Sequence, residues 1–138
     1  MPRHVFKCPL RWSDMDAYGH VNNVQYLRLL EEARVTMFFN EPKIDDIMTL
    51  DGQLVVVRHE IDYVAPLVYR PDPIDIETWT TRVGGASITV AYEVKDAARL
   101  YARARTMLAA IDKETGRARR LTPDERSWAG KWVDPDPV

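Results

Sequence analysis

The spacing of apolar and polar positions changes period twice along the chain. Residues 3 to 13 carry Val5, Phe6, Leu10 and Trp12 with Pro9 among them, a strand pattern whose proline places it at a sheet edge or marks a bulge. A polar run from Ser13 to Asn23 breaks it. From residue 24 to about 40 the period is helical. At about 100° per residue, Tyr26, Leu29, Leu30, Ala33 and Met37 fall within one arc, with Gln25, Arg28, Glu32 and Thr36 opposite. Val24, Leu27 and Phe38 widen the apolar surface beyond a stripe, so this helix is expected to be wrapped by other structure. Asn40, Pro42 and Asp45-Asp46 are expected to end it, and Asp51-Gly52 to turn the chain.

After that turn the period is two. Residues 54–64, 74–83 and 87–94 read as strands, the last with Ile88, Val90, Tyr92 and Val94 on one face. In 99–111, Leu100, Ala102, Ala104, Thr106, Leu108 and Ala110 share a face whose small side chains leave room for a helix backbone. Tyr101, Arg103, Arg105 and Met107 take the other face. Gly84-Gly85, Lys95-Asp96-Ala97 and Lys113-Glu114-Thr115-Gly116 have the composition of hairpin connections, the last returning through 117–121. Thr122-Pro123-Asp124-Glu125 is a capping box with proline at the first helical position, predicting a short helix to about Gly130 and a loose tail over about 131–138.

One long helix and five or six antiparallel strands make an α+β domain, a single one across 1–138 with no repeat or linker. A 17-residue helix is about 25 Å long, and eight-residue strands reach about 27 Å. A curved antiparallel sheet wrapped around one long central helix, plus a short C-terminal helix, fits these lengths. Such a sheet has edges, which pairing across a homodimer would close.

Composition narrows the function. Of 138 residues, 46% are hydrophobic and 29% charged, the range of soluble globular proteins. With 19 basic against 21 acidic residues the net charge is −2, which argues against a nucleic-acid partner. The N-terminal Met-Pro-Arg-His-Val-Phe-Lys-Cys lacks the apolar run of a signal peptide, and no segment nears the ~18 apolar residues of a membrane span. A cytoplasmic protein with no membrane span is expected. The only cysteine, Cys8, excludes an internal disulfide and a Cys-rich metal site, and reads as a packed residue of the first strand.

The chemistry concentrates between Asp14 and Glu32. Two carboxylates, Asp14 and Asp16, a glycine and two asparagines come directly before the long helix. A helix start has unpaired N–H groups and partial positive charge, so a carboxylate held beside it has an electrophile-polarising partner in reach. Asp16 would attack a carbonyl or activate water; as an ordinary aspartate it would cap a turn. Asp14 would serve as a second carboxylate, ranked after Asp16, or as a turn residue orienting the loop, the simpler reading. His20 suits substrate binding or proton transfer, or a plain loop hydrogen bond. Asn22 and Asn23 are good N-caps. One of Glu31 and Glu32 could be a catalytic carboxylate, but pairing with Arg28 or Arg34 is the simpler account. Tyr18, Tyr63 and Trp79 are candidates to line an apolar pocket, and Lys113, Arg117, Arg119 and Arg120 to hold phosphates.

The string Asp14-x-Asp16-x-x-Gly19-His20-Val21-Asn22-Asn23-x-x-Tyr26-Leu27, followed by Glu32-Ala33-Arg34, resembles the 4-hydroxybenzoyl-CoA thioesterase-like branch of the hotdog-fold acyl-CoA thioesterases. Tyr63-x-x-Pro66-Leu67 and Asp72-Pro73-Ile74-Asp75-Ile76-Glu77-Thr78 extend the likeness to about residue 121. The resemblance implies a hotdog fold, thioester hydrolysis without metal or cofactor, a dimer built on a continuous sheet, and a site at the subunit interface. It places the catalytic carboxylate on Asp16 and the carbonyl-polarising backbone amide on Asn23. His20 joins them as a catalytic candidate, with Gly19, Val21, Asn22, Tyr26, Tyr18 and Tyr63 as substrate-binding positions. The string His20-Val21-Asn22-Asn23 also looks like part of the acyl-carrier-protein thioesterases, leaving the carrier open between CoA and that protein. A homodimer is expected, and whether two of them pair into a dimer of dimers is left open. A hydratase or dehydratase on the same fold would carry Asp-x-Asn-Pro-x-His, and the chain has Asp16-Ala-Tyr-Gly-His20 instead. A non-enzymatic acyl-ligand binder is the third reading.

Overall fold

In the computed structural model, residues 3–39 and 52–134 are described. Strand β1 (His4–Cys8) leads through a single 3-10 turn (Trp12–Asp14) into helix α1 (Asn23–Phe39). Strands β2 (Gly52–Tyr63), β3 (Ile74–Val83), β4 (Ser87–Lys95) and β5 (Leu100–Asp112) follow, and helix α2 (Pro123–Lys131) comes last. The five strands form one antiparallel sheet in the order β1-β3-β4-β5-β2. Register shifts at Val56/Arg58 and Thr80/Arg82 add local twist and bend the strands. Strand β1 is an edge, as its proline required; it stops at Cys8, so Pro9 ends the strand and makes no bulge.

Alternation places the core. Ile74, Ile76, Ile88, Val90, Tyr92, Val94, Ala102, Leu108 and Ala110 are buried on one sheet face, and Tyr26, Leu29, Leu30, Ala33 and Met37 of α1 are buried with them. Val24 and Leu27, expected to widen the buried surface, are 64% and 40% exposed. They flank the helix where nothing among the described residues covers them. The helix backbone comes closest to β1 and β3, not to the alanines of β5. Above β5 a polar chain crosses the core instead: Arg34 donates to Tyr92 Oη (3.0 Å), which donates to Thr106 Oγ1 (2.9 Å), with His59 Nδ1 also at Thr106 (2.9 Å). A buried guanidinium needs such acceptors, and it holds the helix above that strand.

Helix α2 begins with the expected capping box between Thr122 and Glu125, and Trp128 stacks on Phe38 with ring centroids 4.2 Å apart. Residues 131–134 are not loose. Lys131 closes α2, Trp132 O accepts from Thr80 N–H (2.9 Å), and Asp134 N–H donates to Thr80 O (3.0 Å) beyond the end of β1. Arg3 holds Asp134 by a 2.6 Å salt bridge. The expected helix-ending residues Asn40, Pro42, Asp45 and Asp46, and Asp51 of the turn, lie outside the described residues. Among those described, no helix is long and apolar enough to cross a membrane.

Candidate active site

The polar stretch before α1 folds as a tight hairpin on the helix start. Met15 and Val21 form a bridge, Asp16 N–H donates to His20 O (3.0 Å), and Gly19 N–H donates to Asp16 O (3.0 Å). Gly19 sits at φ +78°, a left-handed conformation in which a side chain would be strained. Val21 is buried and donates to Leu67 O (2.7 Å), so the segment after β2 closes over the turn.

Asp16 is half-buried, and each carboxylate oxygen has a donor. Oδ1 accepts from Tyr18 N–H (2.9 Å) and Oδ2 from Asn22 Nδ2 (3.2 Å). The ordinary turn-capping role is therefore real, and it leaves the carboxylate beside the helix start. Asn22 is the N-cap, its Oδ1 accepting from Val24 N–H at 2.8 Å. Among the described residues nothing accepts from the Asn23 N–H, which is the first of α1 and exposed. The Asp16 carboxylate is thus tied to the residue that immediately precedes this donor. His20 is exposed on the hairpin.

Asp14 is wholly buried and differently employed. It accepts from Arg11 N–H (2.8 Å), Arg11 Nε (3.0 Å) and Arg28 Nη2 (2.8 Å to each oxygen), while its carbonyl accepts from Asn22 N–H (2.9 Å). Burial alone would push this carboxyl up, but the hydrogen bonds from Arg11 and the Arg28 guanidinium outweigh it and hold it below the usual carboxylate range. Arg28 also pairs with Glu32, and Arg34 lies 3.9 Å from Glu31, as their spacing on the helix suggested.

The aromatic candidates separate. Tyr63 Oη reaches Asn23 O at 3.4 Å, and its ring meets Tyr26 edge to face with centroids 5.2 Å apart. Burial, reinforced by Tyr63 and Tyr101, pushes the Tyr26 phenol up to about 12, so it stays neutral. Tyr18 is on the hairpin and 85% exposed. Trp79 is excluded from this site. It stands between Thr78 and Thr80, which face the core, and turns to the opposite sheet face under the Arg3 guanidinium, 3.7 Å from its ring centroid. There, with Ala91, Arg103 and Glu60, it borders a cavity of about 670 Å³ away from the helix. Strand alternation around 74–80 held the signal that would have removed it. Arg119 is likewise occupied, forking onto Glu125 at 2.8 and 2.9 Å. Cys8 is buried, and that burial pushes its thiol up to about 12, which suits packing and not nucleophilic attack.

Residues 10–129 match the family model described as the thioesterase-like superfamily. A curated relative, YsmA of Bacillus subtilis (strain 168), is 30% identical over 124 residues, covering 87% of this chain and 80% of its own. The crystal structure of YbaW, a probable thioesterase from Escherichia coli, superposes with a TM-score of 0.80 at 27% identity over 96% of this chain and 98% of that one. A 1,4-dihydroxy-2-naphthoyl-CoA thioesterase from Synechocystis shares the fold, with a TM-score of 0.75 at 23% identity over 93% and 94% of the two chains. The single curved sheet around α1 is thus the hotdog fold of thioester hydrolases. The chain belongs to the thioesterase-like superfamily and is a thioester hydrolase.

Proposed function

We propose that the protein is an acyl-CoA thioesterase in which Asp16 is the nucleophile or general base and the Asn23 N–H polarises the thioester carbonyl. The observation that carries this reading is the tether between the Asp16 carboxylate and the N-cap Asn22, beside an Asn23 N–H with no acceptor among the described residues. Either Asp16 removes a proton from water as it adds to the carbonyl carbon, or its oxygen attacks to give an anhydride that water then opens. In both routes negative charge grows on the carbonyl oxygen, where a helix-start donor stabilises it, and the C–S bond breaks to release the CoA thiolate. Tyr18, Val24, Leu27, Tyr63 and Val68 are apolar or aromatic and exposed on the segments meeting at the helix start, a surface suited to an acyl group and a second chain.

The protein acts as a homodimer joined along edge strand β2, whose Val56 and Val57 are exposed. Lys113, Arg117 and Arg120 are exposed at the far end of β5. Tyr63 pairs with Ala102, and Asp112 is ten residues further, about 33 Å away along the strand. A CoA phosphate at this site meets the basic tip of an antiparallel partner and not that of its own chain. The test is thiol release from a panel of acyl-CoAs and acyl-carrier-protein thioesters, run beside an enoyl-CoA hydration assay. Turnover of acyl-CoAs with no hydration is expected; hydration without thiol release would overturn the reading.

A further inference from the structure

We propose that Asn22 is a positioning residue whose side chain locks the Asp16 carboxylate to the start of α1. The inference rests on the thioesterase reading of Asp16 and gives Asn22 a duty other than touching substrate. Its Oδ1 accepts from Val24 N–H (2.8 Å) and its Nδ2 donates to Asp16 Oδ2 (3.2 Å). A backbone N–H only donates and a carboxylate only accepts, so the amide fits one way round. Capping the helix therefore aims the NH₂ at Asp16.

The rest of Asn22 is equally constrained. Its N–H donates to the carbonyl of the buried Asp14 (2.9 Å), and its own carbonyl accepts from Gln25 N–H (2.9 Å) and Tyr26 N–H (3.3 Å). The other oxygen of Asp16 is bound by Tyr18 N–H, a donor of the same hairpin that moves with it. Among the described residues, Asn22 alone supplies a side-chain donor that ties the carboxylate to the helix, and so to the Asn23 N–H. Small errors in the relative placement of reacting groups are heavily penalised in rate. Aspartate caps a helix as well as asparagine but has no donor, and glycine at an N-cap is nearly as good while lacking the side chain.

Asn22→Asp and Asn22→Gly are compared with wild type for kcat, KM and urea unfolding midpoint, with an acyl-CoA from the panel as substrate. Both variants are expected to keep the midpoint and a KM within about twofold, while kcat falls about 10- to 100-fold, the scale of one hydrogen bond to a charged group. Asn22→Asp also moves the acidic limb of the kcat profile to higher pH, because a second carboxylate opposes ionisation of the first. A cap alone would not do this. A readout independent of turnover is the ¹³C carboxyl signal of Asp16, identified by its loss in Asp16→Asn, which titrates at higher pH in Asn22→Asp than in wild type. Wild-type kcat in Asn22→Gly, or a kcat loss that tracks the unfolding midpoint, overturns the proposal. A shifted carboxyl signal in Asn22→Asp with unchanged kcat upholds the tether and sinks the catalytic reading of Asp16 instead.

Discussion

Replacing Arg28 with alanine removes the closest cation from a carboxylate that has no contact with water. The Asp14 side chain is 0% exposed and that of Arg28 29%. Arg28 Nη2 is 2.8 Å from both Asp14 oxygens, and Arg11 contributes its N–H and Nε. After the substitution Arg11 still serves Asp14, so the loss falls below the ~3–5 kcal/mol of a buried pair broken outright. It exceeds the ~0–1 kcal/mol of a surface pair. About 2–3 kcal/mol is expected, a large part of the ~5–15 kcal/mol that holds a domain together. The Asp14 carboxyl titrates below its ordinary value, so its stabilising contribution is complete above the unfolded value near ~3.9 and disappears as pH falls through the folded one. The gap between wild type and Arg28→Ala is therefore full at pH 7 and narrows in acid. Urea unfolding followed by circular dichroism at one fixed protein concentration measures it, since an oligomer's stability depends on concentration. A gap under about 0.5 kcal/mol at pH 7 would place the pair in the surface class, and a gap that widens in acid would refute the sign.

Asp16→Asn is expected to remove about 10²- to 10⁴-fold of thioesterase turnover with the fold intact; near-wild-type turnover there, with loss in Asp14→Asn, would mean that the other carboxylate does the chemistry. Asn23→Pro deletes the N–H where a helix tolerates proline and should lower turnover about 10²- to 10³-fold. Asn23→Ala keeps the N–H and should lose little, so equal losses in two folded variants would assign the role to the side chain. The Cys8 thiol, buried and pushed up to about 12, should react with a thiol reagent only on unfolding; rapid native labelling would show that β1 opens. Light scattering at micromolar concentration should give a dimer or larger, and a fully active monomer would remove the shared site.

The elements were legible because each depends on near neighbours in sequence. The 3.6 period places Tyr26, Leu29, Leu30, Ala33 and Met37 on one face whatever they pack against, and all five are buried. The alternation of residues 74–83 and 87–94, and the capping box at Thr122, are equally local. The position of Asp16 before a helix start with a free donor was readable for the same reason. What the tertiary structure decided is what each polar group meets. Nothing in the spacing of Asp14 and Arg28 says that fourteen residues close to 2.8 Å, or that Arg119 is held by Glu125 and withdrawn from solvent. Strand alternation already put Trp79 on the face opposite Ile74 and Ile76; what the tertiary structure added is the Arg3 guanidinium over its ring and the register with Ala91. Asn22 could be recognised as a cap from its type, but the direction of its NH₂ follows from the hairpin that folds Asp16 back onto it. Helical and strand periods are set by backbone geometry over a few residues, whereas ion pairs and shared carboxylates are set by where distant segments cross.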